Sequence, residues 1–105
     1  MMMQQQEVHD MAKEIPMKSK LLMKFENQDL WDYEAVMPLM EEEGKAGNEY
    51  WTMTARFWLA ELSINGLLEV LEEDVDDGTH FAKDKTIAKY RITDYGKQAI
   101  DSMLR

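Results

Sequence analysis

The stretch "TMTARFWLAELSINGLLEV", residues 52–70, decides the fold because it joins a helical pattern directly to a strand pattern. The helical spacing of apolar residues predicts an inward face formed by Ala55, Trp58 or Leu59, and Leu62. Asn65-Gly66 predicts a left-handed end to this helix, because these two residue types tolerate that conformation best. A helix from about Thr52 to Ile64 therefore leads straight into a strand.

Two helical patterns precede this stretch. Residues 17–26 place apolar side chains near one helical face, and residues 29–43 do so again, with Pro38 as a point of kinking or restart. The glycines and the asparagine of "EEEGKAGNEYW" predict a loop before the third helix. We expect residues 1–15 to form a flexible or partly helical N-terminus, followed by one domain over residues 16–105.

Two strand patterns and a final helix follow. Residues 67–73 suit a short strand, and "TIAKYRIT" alternates apolar and polar side chains, so the two predict an antiparallel hairpin with a long polar tip. Thr93 predicts the N-terminal cap of a closing helix. The expected fold class is mainly α with a small two-stranded antiparallel β-wing. Its predicted core consists of Leu21, Leu22, Met37, Leu59, Leu62, Val70, Tyr90, Ile92 and Ile100.

Two segments carry a family resemblance. "TARFWLAELSINGLLEV", residues 54–70, resembles the recognition helix and first wing strand of the winged helix-turn-helix superfamily. "YRITDYGKQAI", residues 90–100, is similar to the second wing strand and closing helix of PadR-like and MarR-like regulators. The resemblance covers about residues 17–104 and implies a winged helix transcriptional regulator that binds DNA as a dimer. Because one fold supports many functions, a winged helix protein-interaction or dimerisation module that does not bind DNA is the alternative.

The acidic charge of the chain is concentrated in its middle. The net charge is −9, and residues 29–78 contain fourteen acidic and two basic side chains, a net charge of −12. Residues 79–105 carry six basic and three acidic side chains. Nucleic-acid binders obtain much of their affinity from neutralised phosphates, so this chain offers DNA a basic surface only near its C-terminal end. DNA binding is therefore expected to be weak and salt-dependent.

The resemblance implies a DNA-contacting surface on the third helix and the wing. The residues of this surface are Thr52, Arg56, Lys83, Lys85, Lys89 and Arg91. Arg56 is expected to reach a guanine edge and Thr52 a phosphate. Lys89 and Arg91 share one face of a strand because they are two residues apart. The competing hypothesis is intramolecular: the wing cations pair with the acids of residues 69–77, and Arg56 lies on a solvated face beside an acid.

Apolar residues that a small core leaves uncovered predict a homodimer or another protein partner. The outward positions of the third helix are mostly apolar: Thr52, Met53, Arg56, Phe57 and Ala60. One candidate interface contains Trp51 and Phe57. The other contains Met11, Met17, Ile100, Met103 and Leu104. The same aromatic residues and methionines also suit the domain's own core, which leaves both interpretations open.

No sequence pattern predicts catalysis or a cofactor. The acids before Gly78 do not fit an EF-hand because Val75 would occupy a ligand position. His9 and His80 have no second ligand at metal-site spacing, and no nucleophile elbow or phosphate-binding glycine loop occurs. We therefore expect no enzyme activity, no metal site and no cofactor. The absence of cysteine, of a long apolar run and of a signal-peptide pattern predicts a cytoplasmic protein without a membrane segment.

Overall fold

A computed structural model describes residues 15–103, so most of the predicted N-terminal segment lies outside the described residues. The elements are α1 (Met17–Met23), β1 (Leu30–Trp31), α2 (Asp32–Glu42), α3 (Glu49–Ile64), β2 (Leu68–Val75), β3 (Thr86–Ile92) and α4 (Asp94–Met103). The strands form one antiparallel sheet in the order β1-β3-β2. The described chain is thus an α+β fold with four helices and three strands. Over the same residues, no helix is both long enough and apolar enough to cross a membrane.

The sheet has three strands, whereas the sequence predicted two. β1 adds a short third strand to the edge of β3 that faces away from β2. This part of the prediction was wrong because the apolar spacing of residues 29–43 was assigned wholly to a helix, whereas α2 begins only at Asp32. The Glu34 side chain accepts a hydrogen bond from the Trp31 backbone N–H at 2.9 Å and stabilises this beginning. α2 then continues through Pro38.

The antiparallel hairpin of β2 and β3 is confirmed. The pairing covers the length of both strands, with one bulge in β2 between Val70 and Glu72. The inserted residue shifts the alternation of side chains, so Val70 and Glu73 lie on the same face of the sheet, opposite Tyr90 and Ala88. That face borders α3 across a groove.

Helix α3 begins earlier than predicted and ends where predicted. It starts at Glu49 because the Asn48 side chain accepts a hydrogen bond from the Trp51 backbone N–H at 3.0 Å, which makes the preceding loop shorter than the sequence indicated. At the other end Gly66 has a φ of +82°, a left-handed conformation that glycine adopts without strain. The chain then enters β2 almost at once.

Thr93 joins the hairpin to α4 and is confirmed as its cap. The Thr93 hydroxyl accepts a hydrogen bond from the Gly96 N–H at 3.0 Å and lies 2.6 Å from the Gly66 carbonyl oxygen, to which it donates. The Thr93 backbone N–H donates to the Leu67 carbonyl at 3.0 Å. Gly96 is packed so closely on this strand entry that an added Cβ would lie 2.3 Å from the Leu67 carbonyl oxygen. Only glycine allows this approach.

The core lies between the inner faces of the helices and the sheet. The predicted core residues that are buried are Leu21, Leu22, Leu59, Leu62, Tyr90, Ile92 and Ile100. Met37 and Val70 are 42% and 43% exposed, so these two predictions were wrong. Met37 is exposed because α2 buries the face that carries Ala35, Val36, Leu39 and Met40 instead. Val70 lies on the part of the hairpin that α3 does not cover.

Candidate functional site

Helix α3 has two apolar faces, of which only the inner one is covered. The outer face is formed by Tyr50, Met53, Phe57, Ala60 and Ile64, here termed the α3 seam. Their intervals of three, four, three and four residues place them in one line along the helix. The four large side chains of the α3 seam are between 55% and 83% exposed. An apolar line of this length on a surface is typical of a binding face.

The sequence predicted the middle of the α3 seam and missed its ends. Met53, Phe57 and Ala60 were predicted to point outward, and all three are exposed. Tyr50 was missed as a helix position because the predicted helix began only at Thr52, and Ile64 lay within the predicted helix but was not included among its outward positions. The signal was nevertheless present, because the interval from Tyr50 to Met53 continues the same pattern.

A groove that encloses about 540 Å³ separates the α3 seam from the hairpin. Its apolar walls consist of Met53, Phe57 and Ala60 on α3 and of Val70, Ala88 and Tyr90 on the sheet. Its polar lining includes Asp32, Arg56, Glu73, Lys85 and Thr86. Grooves of this volume, mainly apolar with a few polar groups, are typical of ligand and anchor-residue pockets.

Arg56 is held by its own chain at the side of this groove. Its Nη2 donates a hydrogen bond to the Thr86 carbonyl at 3.1 Å, and its guanidinium lies 4.3 Å from the centre of the Phe81 ring. Its Nε is buried and has no hydrogen-bond partner among residues 15–103. The hypothesis of a solvated Arg56 beside an acid is therefore corrected. Arg56 connects α3 to the base of the hairpin loop.

Asp32 is a buried carboxyl beneath the groove. It accepts hydrogen bonds from the backbone N–H groups of Ala88 at 3.2 Å and of Tyr33 at 2.7 Å. Burial raises the pKa of Asp32, while these two N–H groups and the charge of Arg56 act in the opposite direction. Asp32 thereby links the first turn of α2 to β3.

Two of the predicted wing cations form ion pairs within the fold. Arg91 contacts Asp29 at two points, with Nη2–Oδ2 at 3.0 Å and Nε–Oδ1 at 3.3 Å. This hydrogen-bonded pair lowers the pKa of Asp29 and raises that of Arg91. Lys89 lies 3.7 Å from Glu72 across the hairpin. The intramolecular hypothesis named acids of residues 69–77, which is confirmed for Lys89, whereas the partner of Arg91 is brought to β3 by the unpredicted β1.

The other predicted DNA contacts lie apart from this pair. Lys83 and Lys85 are exposed, and neither forms an ion pair within the part of the chain that the structure describes. Thr52 is half-buried and lines a second cavity together with Lys85. Lys89 and Arg91 lie on the sheet face that points away from the groove. The structure brings Thr52, Arg56 and Lys85 together around this second cavity, but the six residues do not form one surface, and DNA binding stays a prediction.

The hairpin loop is organised by Asp76, a residue that the sequence analysis did not single out. Its carboxylate is buried and accepts hydrogen bonds from the N–H groups of Gly78 at 2.9 Å, His80 at 3.3 Å, Phe81 at 2.6 Å and Ala82 at 3.0 Å. Burial alone would raise the pKa of Asp76, but the four donors outweigh it and lower the pKa to about 2. An aspartate two residues before a glycine was the available signal.

Asp76, Asp77 and His80 have potential ligand atoms within 4.8 Å of one another. Their contacts assign them to the structure of the loop. The oxygens of Asp76 accept the four backbone donors, and Asp77 accepts hydrogen bonds from the hydroxyl of Thr79 at 2.6 Å and from its N–H at 3.0 Å. The ring of His80 stacks on Tyr33 with a centroid distance of 3.5 Å. These contacts fasten the loop to the start of α2.

The predicted interface residues of α3 differ in exposure. Phe57 belongs to the α3 seam and is 68% exposed. Trp51 is half-buried, with the Lys45 ammonium 4.8 Å from its ring centre and Trp58 at 6.2 Å between ring centres. Phe57 is thus available to a partner, whereas Trp51 packs largely against its own domain.

Only part of the interface predicted at the chain ends is exposed in the structure. Ile100 is fully buried in the core of its own domain, so its proposed contact with a partner is corrected. Met17 packs against the same core, and Met103 is 39% exposed. Met11 and Leu104 lie outside the described residues. Met103 therefore remains as an exposed apolar residue on α4.

The chain matches no known protein family, no curated protein and no solved structure. The α3 seam, the adjoining groove and the charges around them are therefore the features that bear on function.

Proposed function

We propose that this chain is a winged helix domain that acts as a protein-interaction module, binding a helical segment of its partner through the α3 seam and the adjoining groove. The order of three helices, a hairpin and a closing helix supports the winged helix assignment. The observation that carries the function is the exposed apolar α3 seam. In the DNA-binding use of the fold, the same helix face would present polar and basic side chains to bases and phosphates.

The charges around the α3 seam favour a protein over a nucleic acid. The seam lies within residues 29–78, which carry a net charge of −12. Arg56, Lys89 and Arg91 already have partners within the fold. To neutralise phosphates, Lys89 and Arg91 would have to give up their carboxylate partners, which reduces the gain from counterion release.

The dimensions of the α3 seam fit helix-in-groove recognition. From Tyr50 to Ile64 the seam spans about 21 Å at 1.5 Å per residue. A partner helix of four turns covers this length, and its apolar positions recur at the same intervals. The groove beside Phe57 and Ala60 is large enough to receive a bulky anchor side chain, the feature that contributes most affinity at such interfaces.

The experiment places a photo-crosslinking amino acid at position 57 of the full chain and, as a control, at Tyr95, an equally exposed aromatic position on α4. We expect a protein that is crosslinked from position 57 but not from position 95. The purified partner should bind the wild-type chain, and Phe57→Ser should weaken binding about 30-fold, the effect of losing a central anchor. Crosslinks to nucleic acid alone, or a partner whose affinity is insensitive to Phe57→Ser, would contradict the proposal.

DNA binding by the hairpin loop is the second candidate function. Its support is the exposure of Lys83 and Lys85, which form no ion pair within residues 15–103. If these lysines contact phosphates, the logarithmic salt slope of duplex binding falls by about 0.9 for each lysine changed to alanine. An unchanged slope in the double variant would exclude the loop as the DNA contact.

A further inference from the structure

We infer that the partner segment is an amphipathic helix with lysine or arginine beside its apolar stripe. This inference rests on the proposed function and adds the chemical class of the partner. It depends on the shape of the α3 seam and on the carboxylates that surround it.

The α3 seam provides large side chains next to a gap. Ala60 lies between Phe57 and Ile64 on the seam, so a bulky side chain of a partner helix can enter between them. Cavities lie on both sides of this gap: the groove of about 540 Å³ on the hairpin side and one of about 390 Å³ that Trp58 lines on the other. Knob-and-hole packing of this kind requires a partner with helical spacing of its apolar side chains.

Carboxylates lie around the α3 seam on several sides. Glu49 is at its N-terminal end and Glu73 is on the hairpin side, and both are exposed without an ion pair among the described residues. Glu61 lies on the opposite side, where it pairs with Lys18 but keeps a side-chain exposure of 56%. Lys85 is an exposed cation at the hairpin end of the groove. Arg56 also lines the groove and Lys18 lies beside Glu61; the other charged groups around the α3 seam are the carboxylates that basic groups on a partner helix would meet.

The net charge of residues 29–78 also favours a basic partner. Residues 29–78 carry a net charge of −12, and five of their carboxylates pair with cations from outside this segment. The negative charge that remains attracts a basic segment and accelerates its association at low salt. A second copy of this chain fits less well, because it would bring an identical acidic segment against the first. Duplex DNA would meet the same repulsion. A basic helix is therefore the occupant that both the shape and the charge of the site favour.

The test uses two synthetic helical peptides of about 17 residues, a length that covers the α3 seam. Both carry leucine at intervals of three and four, and the flanking positions are lysine in one peptide and glutamate in the other. Fluorescence anisotropy with the full chain measures both dissociation constants. We expect the lysine peptide to bind at least about tenfold more tightly, with a preference that shrinks as salt is raised.

Matched variants locate the site of this binding. Phe57→Ser should weaken binding of the lysine peptide about 30-fold, whereas Tyr95→Ser, an equally exposed aromatic change on α4, should leave it within about twofold. Circular dichroism and thermal melting establish that each variant is folded.

A second pair of variants tests the carboxylates. Glu49→Gln with Glu73→Gln should weaken binding of the lysine peptide about fivefold and strengthen binding of the glutamate peptide, because two attractive charges are removed from the site. Glu41→Gln with Asp101→Asn changes the net charge equally at exposed positions on α2 and α4, and should leave both affinities within about twofold.

Several results would overturn the inference. Equal affinity of the two peptides, both lost in Phe57→Ser, would leave the proposed function standing and remove the basic class of partner. Absence of binding by either peptide up to about 1 mM would remove the helical occupant. A concentration-dependent dimer that Phe57→Ser dissociates would make a second copy the occupant. Displacement of the lysine peptide by duplex DNA, prevented by changing Lys83 and Lys85 to alanine, would favour the nucleic-acid function.

Discussion

Changing Gly96 to alanine should destabilise the domain, because Gly96 lies where α4 contacts the start of β2. The added Cβ would lie 2.3 Å from the Leu67 carbonyl oxygen and 2.7 Å from Cγ1 of Ile92. The carbonyl cannot retreat freely, because it accepts a hydrogen bond from the Thr93 N–H at 3.0 Å. Either α4 moves away from the sheet or this hydrogen bond is lost.

Three contributions determine how much Gly96→Ala changes the free energy of unfolding. Overpacking of this kind costs about 1–3 kcal/mol, and loss of a backbone hydrogen bond costs about 1 kcal/mol. The better helix propensity of alanine offsets about 1 kcal/mol. We therefore expect Gly96→Ala to lower the free energy of unfolding by about 2 kcal/mol, which for a domain of this size lowers Tm by about 10 °C.

The assay is urea unfolding followed by circular dichroism, with Ser102→Ala as the control. Ser102 is exposed on the same helix, so its change to alanine should alter the free energy of unfolding by no more than about 0.5 kcal/mol. A Gly96→Ala chain as stable as the wild type would show that α4 does not pack on Leu67 at this distance.

Three further predictions concern charge and assembly. The pKa of Asp76 is lowered to about 2 from an ordinary 3.8, so the stability that its carboxylate contributes is complete above about pH 4 and is lost as the pH falls toward 2. The amide signals of the hairpin loop in NMR spectra should broaden over that pH range. Asp76→Asn should remove this pH-dependent transition. Asp29→Asn should lower the free energy of unfolding only slightly, and less at high salt, because its pair with Arg91 is exposed; a large loss in urea unfolding would show that the pair anchors β1. Sedimentation tests the predicted homodimer. A dimer weakened by Met103→Ser but not by Phe57→Ser would place its interface at α4. A chain that stays monomeric up to about 1 mM would exclude the homodimer.

The candidate interaction surface could be predicted from the sequence only in part. The outward direction of Met53 and Phe57 followed from the helical period, because the inner face of α3 is clearly marked. Whether Arg56 points to solvent did not follow from that period. Its guanidinium is held by the Thr86 carbonyl, thirty residues away in the chain, and the pairing of Thr86 with Val75 in the hairpin places that carbonyl.

Features that depend on neighbouring residues could be predicted from the order of amino acids. Gly66 ends α3 and Thr93 caps α4, because a left-handed turn and a capping hydrogen bond need only a few adjacent residues. The tertiary structure alone decided β1 and the partner of Arg91, which is Asp29, sixty-two residues away. A two-residue strand has too little pattern to be recognised, and it exists only because β3 offers an edge with which it pairs. Contacts between distant residues therefore decided which cations remain available to a partner.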